Sequence, residues 1–237
     1  MVDSILTAVE IIGIISFAIS GSVVAIDKEM DFIGVVFLAM TTCFGGGIMR
    51  DVVLGRTPLF FTSMTLYVCV GLSTSVIIFL LATIFKKWYV RRERLVMTVN
   101  NIIDAAGIGA FSVSGVRMCL ELCPEKGAFL AIMMGVLAAV GGGMVRDVCL
   151  RDIPFLLRKH VYALACFFGA TLYYVLDVHL IGSTPAGEIL AAVISMLAVF
   201  IIRVLATTFK WNLPKAIEFS KIQAQNAANS VQTDEKA

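Results

Sequence analysis

Long runs of apolar residues dominate the chain, and polar positions are confined to the short segments between them. A helix that crosses the hydrocarbon core of a bilayer needs about 20 mostly apolar residues. Because lipid offers the backbone no hydrogen-bond partner, and because the runs are continuous rather than alternating, each run predicts a membrane-spanning α-helix and not a barrel strand. Seven spans are predicted, at residues 5–26, 32–54, 62–85, 99–120, 127–149, 160–182 and 187–206.

The composition supports the same fold class. Of the 237 residues, 59% are hydrophobic and only 15% are charged. A soluble domain has about 45–50% apolar and about 25% charged residues. The formal net charge of +2 gives no sign of a nucleic-acid-binding protein. We therefore expect an all-α integral membrane protein that forms one compact bundle, and we exclude a soluble or a wholly disordered chain.

The first half of the sequence returns in the second half. Residues 45–52 (Gly-Gly-Gly-Ile-Met-Arg-Asp-Val) match residues 141–148 (Gly-Gly-Gly-Met-Val-Arg-Asp-Val), and residues 17–21 (Phe-Ala-Ile-Ser-Gly) match residues 111–115 (Phe-Ser-Val-Ser-Gly). Each copy holds three predicted spans, an odd number, so the second copy must enter the membrane from the opposite side. The sequence thus predicts an inverted 3+3 repeat plus one extra C-terminal helix, an architecture typical of transporters with a pathway between the repeats.

The repeat also predicts how the chain is organised. The expected units are a first three-helix repeat with a basic linker at 1–98, a second, inverted three-helix repeat at 99–183, a seventh helix at 184–214 and a polar, disordered tail at 215–237.

A glycine triplet stands within the second span and another within the fifth. Each glycine lowers helix stability by about 0.8–1 kcal/mol relative to alanine. One interpretation is close helix packing through small residues. The other, which we expect, is a break or kink that exposes carbonyl oxygens and the negative end of a half-helix dipole at the membrane centre. The predicted position of a transient monovalent cation is near Phe44, Gly45, Val140 and Gly141.

An arginine follows each triplet, at Arg50 and Arg146. An arginine near the bilayer centre costs about 2.5–3.5 kcal/mol and must face a partner or water. Side chains at adjacent helix positions do not face each other, so Asp51 and Asp147 are expected to point elsewhere. Each arginine is then predicted to pair across the repeat or to cap carbonyls of another helix. The alternatives are a structural ion pair and a role in lining or gating a pore.

Carboxylates and hydroxyls add to these spans. Glu10 and Asp104 stand at matching positions, about one turn into the first and fourth spans, where carboxylates are candidates for function. Interfacial snorkelling is the alternative for Glu10, and hydrogen bonds back to their own helices are the alternative for the nearby serines. The residues assigned to the pathway are Gly45, Gly46, Gly47, Arg50, Asp51, Gly141, Gly142, Gly143, Arg146, Asp147, Ser16, Ser20, Ser112, Ser114 and Asp104.

No catalytic triad, zinc motif or phosphate-binding loop accompanies these residues, so neither an enzyme nor a cofactor is expected. Most basic residues fall on one side of the predicted spans, including the segment 86–94. The positive-inside rule then places the C-terminus in the cytoplasm and the N-terminus outside, in a multi-pass protein of the cell (inner) membrane. The basic segment is either only a topology signal or a contact for anionic membrane lipids.

Several motifs carry a family resemblance: the two Gly-Gly-Gly-x-x-Arg-Asp segments, Ser-Gly at 20–21 and 114–115, the prolines at 58 and 154, and Trp-Asn-Leu-Pro at 211–214. Across roughly residues 5–215 they resemble the prokaryotic branch of the TRIC family, the trimeric intracellular cation channels. The resemblance implies a homotrimer with one pore per protomer, lined by kinked helices 2 and 5. It also implies potassium-preferring conduction of monovalent cations, with potassium or sodium ions as partners.

Some members of this family are labelled glycine transporters, so a secondary carrier for a small solute such as glycine is the alternative. In a carrier, the half-helix that begins after Gly47 or Gly143 would bind a carboxylate group, with Arg50 or Arg146 assisting.

Overall fold

The computed structural model describes residues 2–62, 65–158, 160–209 and 211. Among them, seven helices are long and apolar enough to cross a membrane, as the hydrophobic pattern predicts. They are α1 (Val2–Asp27), α2 (Phe32–Val53), α3 (Thr65–Ile84), α4 (Glu93–Leu122), α5 (Gly127–Cys149), α6 (His160–Val175, continued by the π-helical segment Leu176–Ile181) and α7 (Pro185–Thr208). The predicted tail, 215–237, lies outside the described residues.

Short helices fill several connections: Leu59–Thr62, Lys86–Arg91, Phe155–Arg158 and the 3₁₀ turn Pro124–Lys126. The basic linker is therefore helical, and α4 begins at Glu93, ahead of the boundary predicted at 99. Lysine, arginine and glutamate are good helix formers, which explains the earlier start. Asp104 consequently lies about three turns into α4 and not one turn, as the sequence suggested.

Contacts between the turns show that the repeat is inverted. The turn between α1 and α2 meets the turn after α5, where Lys28 Nζ lies 2.8 Å from Asp152 Oδ2. At the other end of the bundle, Arg56 Nη1, just after α2, lies 3.0 Å from Met118 Sδ near the end of α4. The start of α2 and the end of α5 therefore share one face of the bundle, and these two helices run in opposite directions.

The centre of the bundle is formed by α1 and α2 of the first repeat against α4 and α5 of the second, with α3 and α6 on the flanks. Residues that match in the repeat meet at this centre. The rings of Phe17 and Phe111 lie 5.2 Å apart. A methyl group on Gly13 would meet the Phe111 ring at 3.0 Å, and one on Gly107 would meet the Phe17 ring at 2.6 Å. Small residues at these positions bring α1 and α4 together.

Both glycine triplets lie within uninterrupted α-helix. The predicted break is wrong, and the cation position on freed carbonyl oxygens near Phe44, Gly45, Val140 and Gly141 loses its basis. Releasing backbone hydrogen bonds in a membrane is costly, whereas close packing needs no such release.

Close packing is what the triplets provide. A methyl group on Gly46 would lie 2.1 Å from the carbonyl oxygen of Ala138, and one on Gly142 would lie 2.0 Å from that of Thr42. The backbones of α2 and α5 touch at these two glycines, so the packing interpretation of the triplets is the correct one.

Candidate functional site

A buried network of charged and polar side chains surrounds the first arginine. We define the first cluster as Glu10, Arg50, Asp51, Tyr67 and Ser114. Arg50 donates to Asp51 Oδ1 through Nε at 2.9 Å and to Ser114 Oγ through Nη1 at 3.2 Å. Ser114 donates to Glu10 Oε1 at 2.7 Å, and Tyr67 donates to Glu10 Oε2 at 2.5 Å. Four helices, α1 to α4, supply these groups.

The second repeat builds a matching network around its own arginine. We define the second cluster as Ser20, Asp104, Arg146, Asp147 and Tyr162. Arg146 donates to Asp147 Oδ1 through Nε at 2.8 Å and to Ser20 Oγ through Nη1 at 2.9 Å. Ser20 donates to Asp104 Oδ1 at 3.0 Å. Tyr162 is buried and interacts electrostatically with both Asp104 and Arg146.

Each arginine pairs with the aspartate next to it, contrary to the prediction. The Nη2 atoms of Arg50 and Arg146 lie 2.8 Å from Oδ1 of Asp51 and Asp147, respectively. Adjacent helix positions diverge, but the long arginine side chain folds back far enough to reach its neighbour. All four side chains are buried, and an arginine left without its carboxylate in such a place would be costly.

The predicted pairing across the repeat is also present, through serine. Arg50 contacts Ser114 of the second repeat, and Arg146 contacts Ser20 of the first. Each serine thus comes from the repeat that does not contain its arginine, and it links that arginine to a carboxylate.

The third glycine of each triplet faces a cluster instead of the helix crossing. A methyl group on Gly47 would have Arg50 Nη2 as its nearest neighbour, at 4.0 Å; one on Gly143 would meet Tyr162 Oη at 3.4 Å. Gly47 also lines a cavity of about 40 Å³ beside the first cluster. Such a volume holds about two water molecules. The first two glycines of each triplet therefore pack the helices, and the third leaves space next to the arginine.

Two of the serines predicted for the pathway lie outside the clusters. Ser16 donates to the carbonyl oxygen of Ile12 at 2.7 Å, the bond back to its own helix that the sequence left open. Ser112 is fully buried, and its Oγ has no hydrogen-bond partner among the described residues.

Three residues in or beside the clusters were not predicted from the sequence: the cluster members Tyr67 and Tyr162, and Arg203 next to the second cluster. The two tyrosines follow the two Pro-containing turns at nearly matching places, with Tyr67 nine residues after Pro58 and Tyr162 eight residues after Pro154, and this approximate register was the signal that could have identified them. Arg203 lies in the unrepeated helix α7, 4.4 Å from the centre of the Tyr162 ring. Within the described part of the chain, no group of three or more His, Cys, Asp or Glu side chains is arranged to hold a metal ion.

Comparisons with known proteins agree with this architecture. A family model described as glycine transporter matches the chain twice, at residues 7–83 and 101–178. Each matched segment contains three of the spanning helices. The UPF0126 inner membrane protein YadS of Escherichia coli K12 is 34% identical over 80% of this chain and 89% of its own length.

Solved structures are similar over nearly the whole molecule. The TRIC trimeric intracellular cation channel orthologue from Rhodobacter sphaeroides is 32% identical, covers 88% of this chain and 100% of its own, and has a TM-score of 0.75. A prokaryotic TRIC channel solved in 0.5 M KCl is 28% identical, covers 89% of this chain and 99% of its own, and has a TM-score of 0.76.

These solved relatives are membrane channels, so the prediction that the chain is not an enzyme is confirmed. The doubled family-model match, the curated relative and the shared seven-helix fold all lead to one assignment. The chain belongs to the membrane-protein family whose model is described as glycine transporter, and within it to the prokaryotic TRIC proteins.

Proposed function

We propose that this chain forms a homotrimeric channel of the inner membrane, in which each protomer conducts monovalent cations, with potassium preferred over sodium. The pathway runs between α2 and α5 and passes both clusters. One observation carries the proposal: two buried charged networks, one in each repeat, lie on the helices that cross at the centre of the bundle. Ionisable side chains within membrane spans mark ion pathways and their gates. The similarity to solved cation channels supports the same function.

The chemistry of the first cluster suits a cation. Glu10 and Asp51 bring two carboxylates, against the single guanidinium of Arg50. The resulting field attracts cations, and the adjacent cavity of about 40 Å³ has room for water. Arg50 at the same time prevents tight binding. A conducting site must release an ion as readily as it accepts one, and this balance of charges meets that requirement.

The crossing of α2 and α5 is the constriction in this scheme. The backbones touch at Gly46 and Gly142, whereas Gly47 and Gly143 add no side chain of their own on the arginine-facing side. A small bend or separation of the two helices at the triplets would join the spaces around the two clusters. Glycines within a helix lower the resistance to such a bend.

The orientation belongs to the proposal as well. We place the N-terminus outside and the C-terminus in the cytoplasm, because basic residues gather at one face of the bundle. The exposed helix Lys86–Arg91 then lies at the cytoplasmic surface, where it can contact anionic lipid headgroups. The first cluster is nearer the outer face, and the second cluster is nearer the cytoplasm.

A secondary carrier for glycine is the second candidate, favoured by the description of the matching family model. Two features were expected to hold the substrate carboxylate: a half-helix N-terminus after each triplet, and a free arginine. Both triplets lie in continuous helix, and both arginines are paired with aspartates. We therefore favour the channel.

Planar-bilayer recording of the purified protein separates the two functions. A channel gives unitary current steps in potassium chloride, with a reversal potential that follows the cation gradient and shifts when sodium replaces potassium. Saturable uptake of labelled glycine by proteoliposomes, without unitary steps, would instead establish the carrier. Light scattering coupled to size-exclusion chromatography gives the mass of the detergent-solubilised oligomer and tests the trimer.

A pair of serine variants tests whether the clusters lie on the pathway. Ser114→Ala removes the link between Arg50 and Glu10, whereas Ser22→Ala removes only a bond to the carbonyl oxygen of Ala18 in the same helix. A hydrogen bond of about 1 kcal/mol corresponds to roughly a fivefold change in a local equilibrium. We expect Ser114→Ala to change unitary conductance or open probability by about two- to fivefold and Ser22→Ala to change neither. Equal behaviour of both variants would place the pathway elsewhere.

A further inference from the structure

The seventh helix breaks the symmetry between the two clusters. The first six helices form the inverted repeat, but α7 has no counterpart and packs mainly against α4 and α6 of the second repeat. It brings one arginine, Arg203, to the second cluster. The side chain of Arg203 is buried, with 3% of its residue surface exposed.

Within the described part of the chain, Arg203 is held by aromatic rings and not by an ion pair. Its guanidinium carbon lies 4.4 Å from the centre of the Tyr162 ring and 5.8 Å from that of Phe155. Among the described residues, its Nε has no hydrogen-bond partner. A buried guanidinium over aromatic faces is stabilised by the ring electrons. Its charge is therefore not cancelled by an adjacent carboxylate and acts on its surroundings.

Those surroundings are the second cluster. Tyr162 lies in the electrostatic fields of Arg203, Asp104 and Arg146 together. Cys166, one turn further along α6, also lies in the fields of both Arg203 and Asp104. Arg203 thus lies against the ring of a cluster residue and contributes positive potential to the second cluster.

The two clusters consequently differ in charge. In formal terms, the first has two carboxylates and one arginine, an excess of negative charge. The second has two carboxylates and two arginines once Arg203 is included, and is balanced. An internal repeat alone would have given two equal sites, so the difference arises from α7.

We propose that Arg203 makes the second cluster the barrier and the first cluster the resting place for a permeating cation, so that current through the open protomer is larger in one direction than in the other. This inference rests on the proposed channel function. A unit charge about 10 Å from an ion, at an effective dielectric constant of about 20, changes the local occupancy by roughly tenfold. A single residue of α7 is then sufficient to set the direction of the preferred current.

Single-channel recording in symmetric potassium chloride, with protein inserted in one known orientation, tests the role of Arg203. Arg203→Met removes the charge and keeps an unbranched apolar chain in place of the aliphatic part of the arginine. We expect the current that enters through the second cluster to rise by about two- to tenfold, so that the ratio of currents at opposite voltages moves towards one. Arg203→Lys keeps the charge and should keep the wild-type ratio.

A second pair of variants does not depend on Arg203 and covers the case in which Arg203→Met does not fold. Glu10→Gln removes the excess negative charge of the first cluster and should reduce the asymmetry. Asp104→Asn makes the second cluster positive and should increase it. Shifts of the ratio in the same direction in both variants would overturn the inference, as would an unchanged ratio in Arg203→Met. Wild-type protein without unitary current would instead overturn the proposed function, and this inference with it.

Discussion

Neighbouring glycines of one triplet should respond in opposite ways to the same substitution. In Gly46→Ala the new methyl group would lie 2.1 Å from the carbonyl oxygen of Ala138, whereas ordinary contacts of this kind measure 3.4–4 Å. The backbones of α2 and α5 must therefore separate by more than about 1 Å. Overpacking costs about 1–3 kcal/mol, and a contact this short belongs in the upper part of that range, about 2–3 kcal/mol. Alanine recovers about 1 kcal/mol of helix propensity, which leaves a net loss of about 1–2 kcal/mol.

Gly47→Ala is the matched control, one residue along the same helix. Its methyl group would meet only the end of the flexible Arg50 side chain, at 4.0 Å. The propensity gain then remains, and stability should be unchanged or higher by up to about 1 kcal/mol. The inverted repeat offers the same comparison in α5, between Gly142→Ala, which meets the carbonyl oxygen of Thr42, and Gly143→Ala.

Thermal denaturation followed by fluorescence-detected size-exclusion chromatography in detergent measures these differences. For a chain of this size, 1 kcal/mol shifts Tm by about 2–4 °C. We expect Gly46→Ala and Gly142→Ala to lower Tm by about 2–8 °C, and Gly47→Ala and Gly143→Ala not to lower it. Equal Tm values in all four variants, or a larger loss at the third glycine of each triplet, would refute the proposed division of roles.

Four further substitutions test other parts of the molecule. Asp51→Asn removes the carboxylate that pairs directly with the buried Arg50 guanidinium and should cost about 3–5 kcal/mol, seen as a loss of folded protein or a large drop in Tm. Gly55→Ala should lower stability by about 1 kcal/mol because φ is +73° there, whereas Arg151→Ala, at a φ of +56° already held by a non-glycine residue, should leave the Tm almost unchanged. Lys28→Ala breaks a half-exposed ion pair with Asp152 and should change stability by less than about 1 kcal/mol; a larger loss would show that this contact fixes the two turns.

The sequence was sufficient to predict the architecture. An apolar run of about 20 residues forms a membrane-spanning helix, because only a helix satisfies its backbone hydrogen bonds in lipid. Three spans per repeat, an odd number, require the second copy to be inverted in the membrane. The doubled Arg-Asp motif also identified the centres of both clusters. These features depend on the local composition of each segment and on the number of spans in each repeat, and tertiary packing changes neither.

The contacts of the motif residues depend on tertiary packing, and here the prediction failed in part. A glycine triplet is compatible with a broken helix and with a close crossing, and only the position of α5 against Gly46 decides between them. The pairing of Arg50 with Asp51 was not predicted, because the rule that adjacent helix positions point in different directions ignores the length of the arginine side chain. Arg203 was not predicted because it lies in α7, which has no matching helix in the repeat.

The reciprocal exchange of serines has a consequence for the origin of the molecule. Ser114 completes the network around Arg50, and Ser20 completes the network around Arg146, so neither half of the chain is self-sufficient. A primitive three-helix ancestor would have needed a sister subunit inserted upside down in the same bilayer. Gene duplication and fusion would then have turned an obligatory two-chain partnership with mixed insertion into a single polypeptide, after which the two halves were free to diverge.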